Sequence, residues 1–398
     1  MKKYLLSVVA LALLVSGVSF AEESYVGGGF EASGHTFVGA GWQRYKTPGP
    51  ASALPVNVNG TTAGPIGGYV SRTRTNRDDQ FEFFADEVEL DLAKTYGENI
   101  HFRADLDFGA QSLHSGPRFA SGGGGGDDVG ILVEQAYATA NLGLGNGAEF
   151  LLGRFNAPIG FESNDIGEND TISRSVIYRA LRPHSFTGAK LYYAFSDNFD
   201  LQVFGANNGL NDTGDVIQQS TNVPAAGFRL GYNWGEEGKQ SHMGWSGVWG
   251  QDHADLKTNW TYLGDADWKW WVTDSFAFGG EAIYRMIDTA TAGTRNGKYY
   301  AGLANMHYNF SDVWDGTLKY CYAHDVNGTA ETVSILGTGA QSLTGGEQQF
   351  HEVAVAGNYA ITDGATLKLE GGYTYIRPGS AAGQRSVFGV AGGFAYNF

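Results

Sequence analysis

RSVFGVAGGFAYNF, residues 385–398, ends the chain. Phe388, Val390, Gly392, Phe394 and Tyr396 fall on every second position, the period of a strand with one apolar face. In a soluble protein a terminal row of this kind is an open edge and an aggregation hazard. Closing the sheet on itself removes the edge, so the stretch predicts a barrel whose last strand pairs with its first.

The rest of the chain repeats the pattern. Ile100, Phe102, Ala104, Leu106 and Phe108 alternate with His101, Arg103, Asp105 and Asp107. Trp260, Tyr262, Trp268 and Trp270 oppose Asn259, Thr261, Asp267 and Lys269, and Leu367, Leu369 and Tyr373 oppose Lys368 and Glu370. A β-sandwich would alternate too. Aromatic rings at the ends of the apolar rows favour a membrane barrel, where they sit at the two interfaces. Turn residues divide the chain into about sixteen strands of roughly ten residues, an even number as bacterial barrels require. Every second connection is tight, as at Tyr96–Asn99, Leu144–Gly147 and Thr362–Gly364. Most alternate ones are long, as at Lys46–Asp78, Ala110–Gly130 and Asn327–Gln348. Short turns on one rim and long loops on the other are the asymmetry of an outer-membrane barrel.

Met1–Ala21 reads as a secretory signal, with Lys2 and Lys3, an apolar run and a Ser19-Phe20-Ala21 cleavage site. The barrel is expected over residues 22–398. Beyond the signal no apolar run approaches the roughly 20 residues of a membrane helix. The chain holds 59 Gly, 24 Phe, 21 Tyr and 9 Trp but one cysteine, so Cys321 has no internal disulfide partner. A net charge of −16 argues against nucleic acid as a partner. In a pore it would bias towards cations, although exposed loop acids share in the total.

One connection is unlike the others. LLGRFNAPIGFESNDIGENDTISRSVIYRALRP, residues 151–183, starts as a strand, breaks at Ala157-Pro158 and is too long for a hairpin loop. At about 100° per residue, Ile172, Val176, Ile177, Ala180 and Leu181 share one half of a helical wheel, opposite Arg174, Ser175, Tyr178, Arg179 and Arg182. The spacing predicts a short helix capped by Asp170 and stopped by Pro183. As the third external loop, the segment would fold inward and narrow a pore.

Leu152-Gly153-Arg154-Phe155-Asn156-Ala157-Pro158-Ile159-Gly160-Phe161-Glu162, Ser173-Arg174-Ser175, Thr187-Gly188 and Asn207-Asn208-Gly209 resemble the Gram-negative outer-membrane beta-barrel porin family, akin to the phosphate-selective porins O and P. The terminal Phe398 with its alternating row likewise resembles the assembly signal of bacterial outer-membrane proteins. The resemblance implies an outer-membrane barrel with a passive channel for small hydrophilic solutes or ions. It does not extend to phosphate specificity, because lysine-rich loops are missing. Porins often form homotrimers.

A charge facing lipid at mid-depth costs about 2–4 kcal/mol, so strand charges are expected to face the lumen. Candidate constriction residues are Arg103, Arg154 and Lys190 on the wall and Glu162, Asp165, Glu168, Asp170, Arg174, Arg179 and Arg182 on the loop. Bases facing acids would set a transverse field across water. The same charges could instead brace a plugged barrel whose external loops bind a partner. Histidines show no metal-ligand spacing, and no nucleophile elbow, HExxH or paired Cys is present, so neither a metal, a cofactor nor an enzyme is expected.

Overall fold

The computed structural model describes residues 25–26, 30–46, 79–108, 131–207, 224–236, 238–251, 260–288, 296–326, 347–378 and 385–398. Residues 1–21, where a signal is expected, and most of the long connections named above lie outside them. Sixteen long strands run β1 (Phe30–Lys46), β2 (Asp79–Tyr96), β3 (Ile100–Phe108), β4 (Ile131–Asn141), β5 (Ala148–Asn156), β6 (Ser185–Ala194), β7 (Phe199–Ala206) and β8 (Ala225–Trp234). They continue as β9 (Ser241–Gln251), β10 (Trp260–Trp271), β11 (Phe276–Asp288), β12 (Gly297–Asn309), β13 (Trp314–Asp325), β14 (Gln348–Thr362), β15 (Ala365–Pro378) and β16 (Arg385–Asn397). A two-residue strand, Tyr25–Val26, folds back on the start of β1.

Each strand pairs antiparallel with the next, and β16 pairs with β1 from Ser386↔Lys46 to Asn397↔His35. The ring is therefore closed. Its terminal strand has no free edge, which is what the apolar row at residues 388–396 requires. Phe398 completes the seam through reciprocal 3.0 Å backbone bonds with Gly34.

The period of two sorts the wall. Phe102, Val203, Leu318, Val355, Leu369 and Val390 are exposed on the outer face, whereas Asp105, Asp265, Glu281, Asn305, Lys319 and Glu370 are buried inside. A globular protein would show the reverse. Exposed rings gather at both rims. Phe195, Phe199, Tyr232, Trp270 and Trp314 lie at the short-turn end, and Phe81, Trp249, Tyr262, Tyr284 and Tyr300 at the other. Such rings suit the headgroup level, apolar in body and polar at the tip. At the short-turn rim the Lys94 ammonium lies 4.4 Å from the centre of the Phe30 ring and 4.8 Å from that of Tyr96.

Three register shifts interrupt the ladder, at Phe37/Val38, Asp105/Leu106 and Ala360/Thr362. The second leaves Glu134 as the extra residue between Val133 and Gln135. A bulge re-aims a side chain, and here it delivers a carboxylate to the lumen.

Val355, 58 % exposed near the middle of β14, tests which face meets lipid. Val355→Arg is expected to cost about 2–4 kcal/mol, measured by urea unfolding of the barrel in lipid vesicles.

Candidate functional site

Residues 157–184, between β5 and β6, lie against the interior side chains of strands around the ring. Away from the sheet this backbone has lost its ladder partners, and wall side chains replace them. Wall carboxylates accept its N–H groups: Glu281 from Phe161 (3.0 Å), Glu87 from Ile166 (2.8 Å), Glu370 from Ile172 (2.6 Å) and Ser173 (3.1 Å), and Glu352 from Val176 (2.8 Å). Wall bases donate to its carbonyls: Lys368 to Ile166 and Gly167 (3.1 Å each), Arg229 to Pro158 (3.4 Å) and Arg285 to Leu181 (3.4 Å).

Lys319 is the centre of this contact. Its ammonium meets the Glu162 carboxylate at 2.8 Å, the Thr171 hydroxyl at 2.7 Å and the Ser173 carbonyl. Burial alone would raise the Glu162 carboxyl. Lys319, the Ser175 hydroxyl and Arg174 outweigh it and hold the group below the ordinary carboxylate range. Asp165 goes the other way. Burial, with the Glu134 and Glu87 carboxylates, pushes it up to about 8, against a smaller opposing pull from His35.

Apolar side chains of the segment also pack on the wall. Ile159, Val176, Ile177 and Leu181 join Phe155, Phe186, Leu263, Ile283 and Phe350 in one buried cluster, and Ile166 and Ile172 join Phe37, Ala391 and Ala395 in another. Gly160 permits the first turn. Its φ is +92°, and a Cβ there would come within 2.8 Å of Arg182 and 2.9 Å of Glu281.

The expected helix is reduced to one turn. Ile177–Leu181 is a π-helical turn behind Val176, without a side-chain cap. Asp170 does not start it. Its carboxylate instead accepts from Asn305 at 2.7 Å and lies 3.8 Å from Lys269. The amides of Ser175 and Val176, which a helix starting at Asp170 would turn to the carbonyls of Thr171 and Ile172, are instead taken by Glu162 of the segment and Glu352 of the wall, so side-chain carboxylates outcompete helical carbonyls. The predicted apolar face is split between two clusters, with Ile172 in one and Val176, Ile177 and Leu181 in the other.

The candidate charges separate into two groups. Arg174 and Arg182 are buried. Their guanidinium groups flank the Tyr178 ring at 4.6 and 4.7 Å and donate to the loop carbonyls of Ser163 and Asn164, and of Ile159 and Glu162, respectively. Arg179 pairs with Glu352. Arg154 departs from the alternation reading. It shares the row of the exposed Phe150 and Leu152, yet is buried, with Nε donating to the carbonyls of Val133 (2.9 Å) and Glu134 (3.1 Å). It braces the β4 bulge. Water reaches the others better. Glu168 is exposed, Asp165, Asp170 and Lys190 are partly so, and the Arg103 side chain is 41 % exposed beside Asp105 at 2.7 Å. Lys319, Lys368, Glu281, Glu352 and Glu370 fall on lumenal faces by alternation, but nothing in the sequence marks them as loop anchors, because strand spacing does not say which strand the loop crosses.

A closed all-antiparallel ring with a polar interior, an apolar belt and a segment across its lumen is a porin architecture, and residues 58–396 match the beta-barrel porin-2, OmpL-like family. The chain belongs to that family. It is an outer-membrane channel protein. No curated protein matches it. Similar solved structures include the outer-membrane channel DcaP of Acinetobacter baumannii, at TM-score 0.62 and 13 % identity over 95 % of this chain and 100 % of that one. The anion-selective porin of Comamonas acidovorans has TM-score 0.56 and 11 % identity over 95 % and 100 %. OmpT of Vibrio cholerae in its trimer form has TM-score 0.51 and 11 % identity over 93 % and 99 %. At these identities the likeness is one of fold.

The Glu162–Lys319 pair sets a stability test for this porin. Removing one partner of a buried pair costs about 3–5 kcal/mol, so Lys319→Met is expected to lose that much, and Glu162→Gln added to it is expected to restore part. Because the Glu162 pKa is lowered in the fold, the pair contributes fully above the ordinary carboxylate range. It is lost as pH falls through the lowered value. The gap between parent and Lys319→Met should therefore narrow in acid, read as melting temperature against pH.

Proposed function

We propose that this porin conducts small hydrophilic solutes and ions by passive diffusion, without chemistry or an energy source, and that residues 157–184 set the width and charge of its narrowest part. The observation that carries this reading is the attachment of the segment across the lumen, bonded to β2, β8, β11, β12, β13, β14 and β15. A segment held at so many points acts as a fixed constriction.

The charges we assign to the eyelet are those left nearest to water: Glu168, Asp165 and Asp170 on the loop, with Arg103 and Lys190 on the wall. Glu162, Arg174, Arg179 and Arg182 hold the segment in shape, and Arg154 supports its base. The three eyelet acids outnumber the two bases, which favours cations. The selectivity named for the Comamonas acidovorans porin is not carried over. We further propose a homotrimer, as in the OmpT trimer form.

A second reading has its own support. The cluster of Ile159, Val176, Ile177 and Leu181 with lumenal wall residues is a packed apolar core inside the barrel, as a plugged surface-binding barrel would have. Single-channel recording in a planar bilayer under a KCl gradient separates the two. Open steps with a cation-biased reversal potential are expected. Glu168→Gln should reduce the bias, and Lys319→Met, which loosens the segment, should raise conductance or its noise. Silence from correctly folded protein would favour the plug.

A further inference from the structure

The interior face of β1 to β4 sets like charges against each other in register. Glu89 lies directly opposite Asp107, and Asp91 opposite Asp105. Directly opposed like charges destabilise a sheet, and burial away from water makes the cost larger. Arg103 answers the second pair, with Nε 2.7 Å from Asp105 and a terminal nitrogen 3.7 Å from Asp91.

The first pair has no equivalent. Asp107 is 1 % exposed and Glu89 2 %. Both carboxylate oxygens of Asp107, and Oε2 of Glu89, lack a hydrogen-bond partner among the described residues. The nearest base, His35, is 3.5 Å from Glu89 but closer to Glu87, at 3.0 Å. The bulge in β4 then brings a third acid to the pair. Glu134 is held in place by the amides of Asn156 at 2.7 Å and Asn164 at 3.1 Å. One oxygen each from Glu89, Asp107 and Glu134 lie within 4.8 Å of one another. Oxygens this close can share one cation, and Ca²⁺ accepts irregular all-oxygen sites at about 2.3–2.6 Å, whereas Mg²⁺ demands near-ideal octahedral geometry and keeps several waters, which a site this buried does not favour.

We propose that Glu89, Asp107 and Glu134 form a Ca²⁺ site in the wall of the barrel, beside Asp165 of the lumenal segment. The ion supplies the positive charge that this face lacks. It also ties the segment down, since the Asn164 side-chain amide bonds the ligand Glu134. The proposal holds whether or not the lumen conducts.

The test uses the full barrel, folded in detergent and stripped with EDTA, titrated calorimetrically with CaCl₂ and separately with MgCl₂. One Ca²⁺ per chain with a raised melting temperature is expected, with Mg²⁺ at least tenfold weaker. Asp107→Asn, which gives up no hydrogen bond, should weaken Ca²⁺ binding at least tenfold and keep the heat-dependent mobility shift of a folded barrel. Asp274→Asn, in an exposed turn, should bind as the parent does. No stoichiometric uptake by the folded parent overturns the proposal, and so does Asp107→Asn binding as tightly as the parent. If the carboxylates are neutralised by shared protons, Asp107→Asn stabilises the barrel while the parent takes up no Ca²⁺.

Discussion

A backbone placed inside a barrel must find hydrogen-bond partners away from any sheet. An unsatisfied buried amide or carbonyl costs about 1–3 kcal/mol. Residues 157–184 meet this constraint through wall side chains, with acids taking amides and bases taking carbonyls. Lys368 carries the most of it, donating to the carbonyls of Ile166, Gly167 and Asn169 at once. The interior wall is therefore rich in charge for two reasons. Charge is excluded from the lipid face, and the crossing segment has polar groups to satisfy.

The same constraint explains why the loop is not the helix its periodicity suggests. Helical carbonyls and wall carboxylates compete for the same amides. A charged acceptor in a buried site makes the stronger bond, and Glu352 wins at Val176, as Glu162 of the segment itself does at Ser175. What survives is the π turn at Ile177–Leu181, where apolar side chains pack and no wall acid reaches the backbone among the described residues.

Charge is unevenly shared around the ring. On β8, β10 and β11 a base partly offsets the acids: Arg229 pairs with Asp267 at 2.5 Å, although Asp267 also lies opposite Glu281. On β2 to β4 acids face acids. Such an arrangement is costly unless protons or a cation complete it, and that imbalance ties the electrostatics of the pore wall to the stability of the barrel.

Alternation along Ile100–Phe108, Trp260–Trp271 and Arg385–Asn397 determined the strands and their two faces, and the aromatic rings at the row ends, with short turns alternating with long loops, pointed to a closed membrane barrel with most charges in its lumen. These follow from a period of two, from turn spacing and from the cost of charge in lipid, all local properties of the chain. The strand break at Ala157-Pro158 and the helical periodicity after it marked residues 157–184 as the segment that leaves the wall. Only the tertiary structure decided what its charges do. Arg174 and Arg182 became internal braces around Tyr178, Arg154 turned to carbonyls of β4, and Glu89, Asp107 and Glu134 converged from three strands. Pairings between residues as distant as Glu162 and Lys319 depend on where a crossing segment meets a closed ring, and no spacing along one strand encodes that.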